Sequence, residues 1–128
     1  MKGYMTVGRS MLASAEFGGT AVQSIQAQAK PLAYVIAEVT VKNQDGYTKE
    51  FLPARAKAIA DRGGRYIVRG GKAISVKGAP QAGRIVVVQF DSFDKAQAFT
   101  ESAGFRDSQI IGEKYADIRI YAVEGVGP

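Results

Sequence analysis

Apolar positions recur along this chain with two periods, and each change of period marks an element. From Ala33 to Val41 the residues are β-branched or aromatic with no breaker, which predicts a strand. Ala33, Val35, Ala37, Val39 and Val41 share one face; Tyr34, Ile36, Glu38 and Thr40 share the other. Asn43-Gln44-Asp45-Gly46 reads as a turn. The period then becomes helical to Arg62, with Tyr47, Phe51, Ala54, Ala58 and Ile59 on one stripe. Asp45 is the expected cap acceptor, Pro53 is expected to kink or split the helix, and Gly63 is placed as its left-handed terminator.

The next strand is Arg65-Tyr66-Ile67-Val68-Arg69, and strict alternation puts its two arginines on one face. Gly70-Gly71 permits a bend, Lys72–Val76 is a possible continuation of the strand, and Lys77–Gly83 is a loop. Arg84–Phe90 is a third strand, apolar on both faces, which must be covered on both sides. Ser92 caps a second helix with Ala96 and Phe99 inward; Gly104 divides it from a further helical piece, Phe105 to about Tyr115. Asp117–Val123 is the last strand.

Strand, helix, strand, strand, helix, strand, joined by right-handed crossovers, is an α+β, ferredoxin-like βαββαβ order. It predicts a four-stranded antiparallel sheet with two helices on one face. Val35, Ala37, Val39, Val41, Tyr66, Val68, Val86, Val88, Phe90, Ile118, Ile120 and Ala122 are expected under the helices. The opposite set carries Arg65, Arg69, Ile67, Ile85, Val87 and Val123 among polar groups. That face is too apolar to leave in water, which implies a homodimer whose sheets face each other.

Residues 1–30 differ from the rest. Lys2 and Arg9 precede an apolar run from Met11, and Ala27-Gln28-Ala29 has the small-x-small pattern of a cleavage site, although Glu16 and Gly18-Gly19 interrupt the run. The two readings are a secretory signal, giving a periplasmic or secreted protein, and a retained helical arm on a cytoplasmic one. Residues 31–128 form the domain. No stretch has the length of apolar sequence a membrane span needs.

Composition narrows the chemistry. With no Cys, His or Trp, thiolate and imidazole nucleophiles, relays and metal sites are excluded, and a metal would need an all-oxygen site that no carboxylate cluster suggests. No cofactor is expected; haem would lack a histidine ligand, leaving only tyrosine. The net charge of +5 comes from scattered Lys and Arg mixed with acids, Arg55 among them, so a mixed solvated surface is expected and no nucleic acid partner.

The chain resembles the bacterial domain of unknown function 1330 family, within the dimeric α/β-barrel superfamily, over about residues 33–124. Tyr34-Val35-Ile36-Ala37-Glu38, Tyr47 with Pro53, and Val87-Val88-Gln89-Phe90-Asp91-Ser92 with Ala96 carry the likeness. Gly63-Gly64-Arg65-Tyr66-Ile67-Val68-Arg69-Gly70-Gly71 is its most specific part. A Ser-Pro-Glu-Tyr-like element usual in the family is replaced here by Ser102-Ala103-Gly104-Phe105. The resemblance implies a dimeric barrel and little about chemistry, since the fold hosts many activities.

A pocket is expected either between sheet and helices or inside the dimer barrel. Arg69 suits a carboxylate or phosphate, Glu38 a general base, and Tyr47 a hydrogen-bond donor; these three are the candidate catalytic residues. Tyr34, Gln89, Arg119 and Tyr121 are candidate ligand-binding residues. The competing assignment pairs Glu38 with Arg119 and Arg69 with an acid across the dimer. Tyr66 and Phe90 are expected as core. Three functions remain: a cofactor-free monooxygenase-like or isomerase-like enzyme, a binding protein for a small carboxylate or aromatic ligand, and a structural or stress-associated dimer.

Overall fold

The computed structural model describes residues 30–81 and 83–127. The leader and its cleavage pattern fall outside these residues. Four strands, β1 (Ala33–Val41), β2 (Arg65–Arg69), β3 (Arg84–Phe90) and β4 (Ala116–Glu124), form one sheet in the order β2-β3-β1-β4. All neighbouring pairs are antiparallel, as the ferredoxin-like order requires.

The first helix, α1, spans 44–61 in three pieces: a turn at Gln44–Gly46, a wide π turn at Tyr47–Phe51, and an α segment at Leu52–Asp61. Pro53 lies in the first turn of that segment, where its missing N–H costs least. The cap is one residue pair earlier than the spacing suggests: Asn43 Oδ1, not Asp45, accepts from Gly46 N at 3.0 Å. Gly63, at φ 78°, terminates the helix. Ser92 caps α2 (Phe93–Thr100), accepting from Lys95 N at 3.2 Å. The break before α3 (Ala103–Glu113) lies at Glu101-Ser102, with Ser102 as cap, and not at Gly104. Gly104 is inside α3 because it touches α1: a Cβ there would lie 3.1 Å from that of Ala58.

The core lies between the helices and one sheet face, in two clusters. Phe90, Phe99, Ile59, Ala96, Val35 and Val88 form one, with the Phe90 and Phe99 rings stacked at 5.2 Å. Tyr47, Phe51, Val39 and Ala116 form the other, with Tyr47 and Phe51 stacked at 5.1 Å. Each buried aromatic ring contributes about 1.5–3 kcal/mol by leaving water.

Strict alternation fails in β2. Arg65 opposes Gln89 and Tyr66 opposes Val88, but Val68 opposes Val87 and Arg69 opposes Val86. The extra residue is Ile67, a β-bulge, and it reverses the parity of everything after it. Arg69 therefore turns to the helix face while Arg65 stays on the bare face, and Val68 leaves the core side and is 40% exposed. Lys72–Val76 does not continue the strand: residues 71–81 have no regular secondary structure, and Ile74 and Val76 are largely exposed.

Candidate functional site

Between the two core clusters lies a cavity walled by β1, β3 and β4 below and by α1 above. Valines and isoleucines make its floor, and Phe51, Phe99 and Ile59 its roof and inner end. The volume open to the centre of a water-sized sphere is about 40 Å³, enough for a few water positions. Five polar side chains reach it: Arg55, Arg69, Arg84, Tyr47 and Tyr66. Among the described residues no carboxylate lines it.

Each arginine arrives by a separate route. Arg69 comes through the bulge and lies with Cζ 4.2 Å from the Tyr66 ring centroid. Arg84, the first residue of β3, opposes Val39 and so shares the inner face with Val86 and Val88. Its Cζ is 5.8 Å from the Tyr47 centroid, and its Nε is buried with no hydrogen-bond partner among the described residues. Gly70 makes room for it, since a Cβ there would lie 2.7 Å from an Arg84 Nη. Arg55 is buried, which overturns its expected place on a solvated helix surface. It is held between the rings of Phe51 and Phe105, at 4.8 and 4.5 Å. Its Nε donates to Ser108 Oγ at 2.9 Å and its Nη2 to Gln109 Oε1 at 2.7 Å, both neutral groups on α3.

Burial lowers the Arg55 guanidinium to about 10. Burial raises both Tyr47 and Tyr66, against the smaller opposing pull of the arginines around them. The tyrosines thus remain neutral hydroxyls at ordinary pH. Among the described residues, none of the three arginines forms an ion pair with an acid. Buried or half-buried cations normally find a counter-charge within the protein. Among the described residues, buried Arg55 and half-buried Arg84 have none.

The remaining sequence candidates lie on the other side of the sheet. Glu38 Oε2 accepts from Arg119 Nη1 at 3.1 Å and from the Tyr121 hydroxyl at 3.0 Å. That bond raises Tyr121 above the ordinary tyrosine value. Gln89, with its amide oriented to satisfy both groups, accepts from Arg65 Nη2 and Nε at 2.9 and 3.2 Å. Tyr34 stands across from Gln89 and Val123 on the same face. Ile74–Lys77 and Ala79–Gln81 line an open recess together with Glu38 and Arg119. Glu38 therefore does not converge with Tyr47 and Arg69 within one chain; the sheet separates them.

Sequence reasoning missed Arg55 and Arg84, although both left signals. Arg55 continues the Tyr47, Phe51 spacing of four, and Arg84 has the parity of Val86, Val88 and Phe90. Tyr66, expected as core, lines the cavity. Among the described residues no group of three metal-ligating side chains occurs.

Two crystal structures share the fold. A crystal structure of RPA0582, a protein of unknown function from Rhodopseudomonas palustris, is similar at 12% identity and a TM-score of 0.56, covering 84% of this chain and 93% of that one. Methylated RPA0582 is similar at 10% identity and a TM-score of 0.60, covering 84% and 91%. A conserved protein of unknown function from Bacteroides thetaiotaomicron, described as a possible oxidoreductase, is 14% identical with a TM-score of 0.49, covering 75% and 99%. No curated protein matches the chain. The family profile described as Domain of unknown function (DUF1330) matches residues 32–126, and with three-quarters of its length so matched the chain belongs to that family.

Proposed function

We propose that this protein binds a small organic anion in the cavity between sheet and helices. One observation carries the reading: three guanidiniums and two neutral phenols meet against apolar walls with no carboxylate among them. Guanidinium groups only donate hydrogen bonds, and the phenols are the sole side-chain acceptors, so the polar part of the ligand must accept. An anion supplies both the acceptors and the missing charge. If the ligand reacts there, the arginines stabilise developing negative charge and Tyr47 or Tyr66 delivers a proton. No side chain at the cavity is a base near neutral pH, so the isomerase-like reading needs a base from elsewhere, whereas a binding role needs nothing more.

Thermal denaturation of the purified protein against a panel of organic anions tests this. A bound anion raises the midpoint by mass action, and the rise should disappear in Arg69→Ala. A panel with no stabilising member, and an Arg69→Ala variant indistinguishable from wild type in it, would refute the proposal.

A second observation supports association. The bare sheet face leaves Ile67, Val68, Tyr121 and Val123 between 40 and 47% exposed, on a chain that already has a covered core on the other side. We propose that two copies pair these faces. Light scattering that finds only monomer at micromolar concentration would exclude the pairing.

A further inference from the structure

The strand register makes the cavity one-ended. On β3, Arg84 stands opposite Val39, Val86 opposite Ala37, Val88 opposite Val35 and Phe90 opposite Ala33. Arg69 opposes Val86, so it and Arg84 are diagonal neighbours on one face at the same end. Moving along β1 and β3 from that end, the floor is apolar. It reaches Val88 after four residues, about 13 Å at 3.3 Å per residue, and is closed there by Phe99, which is 1% exposed. On β1 and β3 charge therefore lies at one end and hydrocarbon at the other, with Tyr66 beside Val88 on β2. Arg55 stands above the Phe99 end, against Phe105, but its Nε and one Nη already donate to Ser108 and Gln109.

From this gradient we infer that the ligand is a short amphiphilic monocarboxylate. Its carboxylate lies between Arg69 and Arg84, and its apolar tail lies along Val86 and Ala37 toward Val88 and Phe99. The inference rests on the anion-binding reading above and narrows it. Polyanions such as phosphate would leave oxygens facing valine, at the cost of burying unpaired acceptors. Amino acids are rejected, because an ammonium group would enter a site that already holds three cations and no acid. The small free volume, about 40 Å³, restricts the tail to a short chain.

The test is a titration calorimetry series on the full chain with acetate, butanoate, hexanoate, benzoate, 4-aminobutanoate and inorganic phosphate, repeated on Ala37→Leu and Arg84→Met. Affinity should rise about fourfold for each methylene added from acetate, the effect of burying one CH2, until the inner end is reached. Butanoate should exceed 4-aminobutanoate and phosphate by at least about tenfold. Ala37→Leu, which fills the middle of the floor, should weaken butanoate at least tenfold while leaving acetate within about twofold. Arg84→Met should weaken every carboxylate. Far-ultraviolet circular dichroism and a urea midpoint near wild type establish that each variant is folded. If Ala37→Leu misfolds, the chain-length series on the wild type decides alone. Phosphate binding as tightly as butanoate, or acids that bind without dependence on chain length, would overturn the tail while leaving an anion site in place. Failure of every anion to bind would remove both the inference and the reading beneath it.

Discussion

Replacing Arg84 by Met should stabilise the protein in the absence of ligand, the reverse of what a core-lining substitution normally does. Arg69 and Arg84 are diagonal neighbours on the sheet, with Cβ atoms about 7–8 Å apart. Where the two guanidiniums keep a separation of about 8 Å, the like charges repel by about 2 kcal/mol in an effective dielectric of 20, and by about 0.5 kcal/mol in one of 80. Arg69 lines the cavity yet is exposed, so solvent screening favours the lower part of that range. The buried, unpartnered Arg84 Nε adds a desolvation cost on the order of 1 kcal/mol. Met retains the length of the aliphatic stem against Gly70 and Tyr47, so little packing is lost. The expected net change is a gain of about 1–2 kcal/mol. Urea denaturation at low salt should show a higher midpoint with an unchanged slope. Raising the salt should stabilise wild type more than the variant, since only wild type has the repulsion to screen. A variant less stable than wild type by 1 kcal/mol or more, with an equal salt response, would show that Arg84 is a satisfied structural residue and that the cluster is not an unfilled anion site.

Gly112→Ala should lower stability by about 1–3 kcal/mol, although Ala is the better helix former by about 1 kcal/mol. Its Cβ would lie 2.7 Å from the Phe51 ring and 2.9 Å from Ile118 Cδ1, and a urea midpoint at or above wild type would contradict this packing. Gly83→Ala should lose about 2–4 kcal/mol in the same assay, because φ is 58° and its Cβ would collide with the Val39 carbonyl oxygen. Above pH 10 stability should fall. Tyr47 and Tyr66 are raised by burial, so the folded state keeps protons that the unfolded chain has released, and stability declines as pH rises. Arg55, lowered to about 10, works in the opposite direction above that pH. Urea midpoints between pH 8 and 11 should therefore decline in wild type and decline less steeply in the Tyr47→Phe, Tyr66→Phe double variant, where Tyr115 and Tyr121 are still raised by their bonds to Glu50 and Glu38; an equally steep decline in the double variant would place the alkaline sensitivity elsewhere.

Periodicity alone determined the elements and their order. Ser92 and Gly63 punctuate the helices where spacing predicts, β1 and β3 carry continuous apolar runs, and the βαββαβ order leaves one antiparallel sheet with covered and bare faces. These features are local, set by backbone sterics and by which face is apolar, so they are written residue by residue. The site was decided by tertiary structure. The bulge at Ile67 depends on how β2 pairs with β3, and it alone sends Arg69 to the helix face and Val68 away from it. Arg55 shares the helical spacing of Tyr47 and Phe51, but only the packing of α3 against α1 covers it and provides Ser108 and Gln109 to receive its donors. Glu38 has the context of a catalytic base, yet the alignment of β4 beside β1 gives its carboxylate to Arg119 and Tyr121. In each case the decisive partner is a residue brought near only by the fold, and charge is read by what lies opposite it, not by its place in the chain.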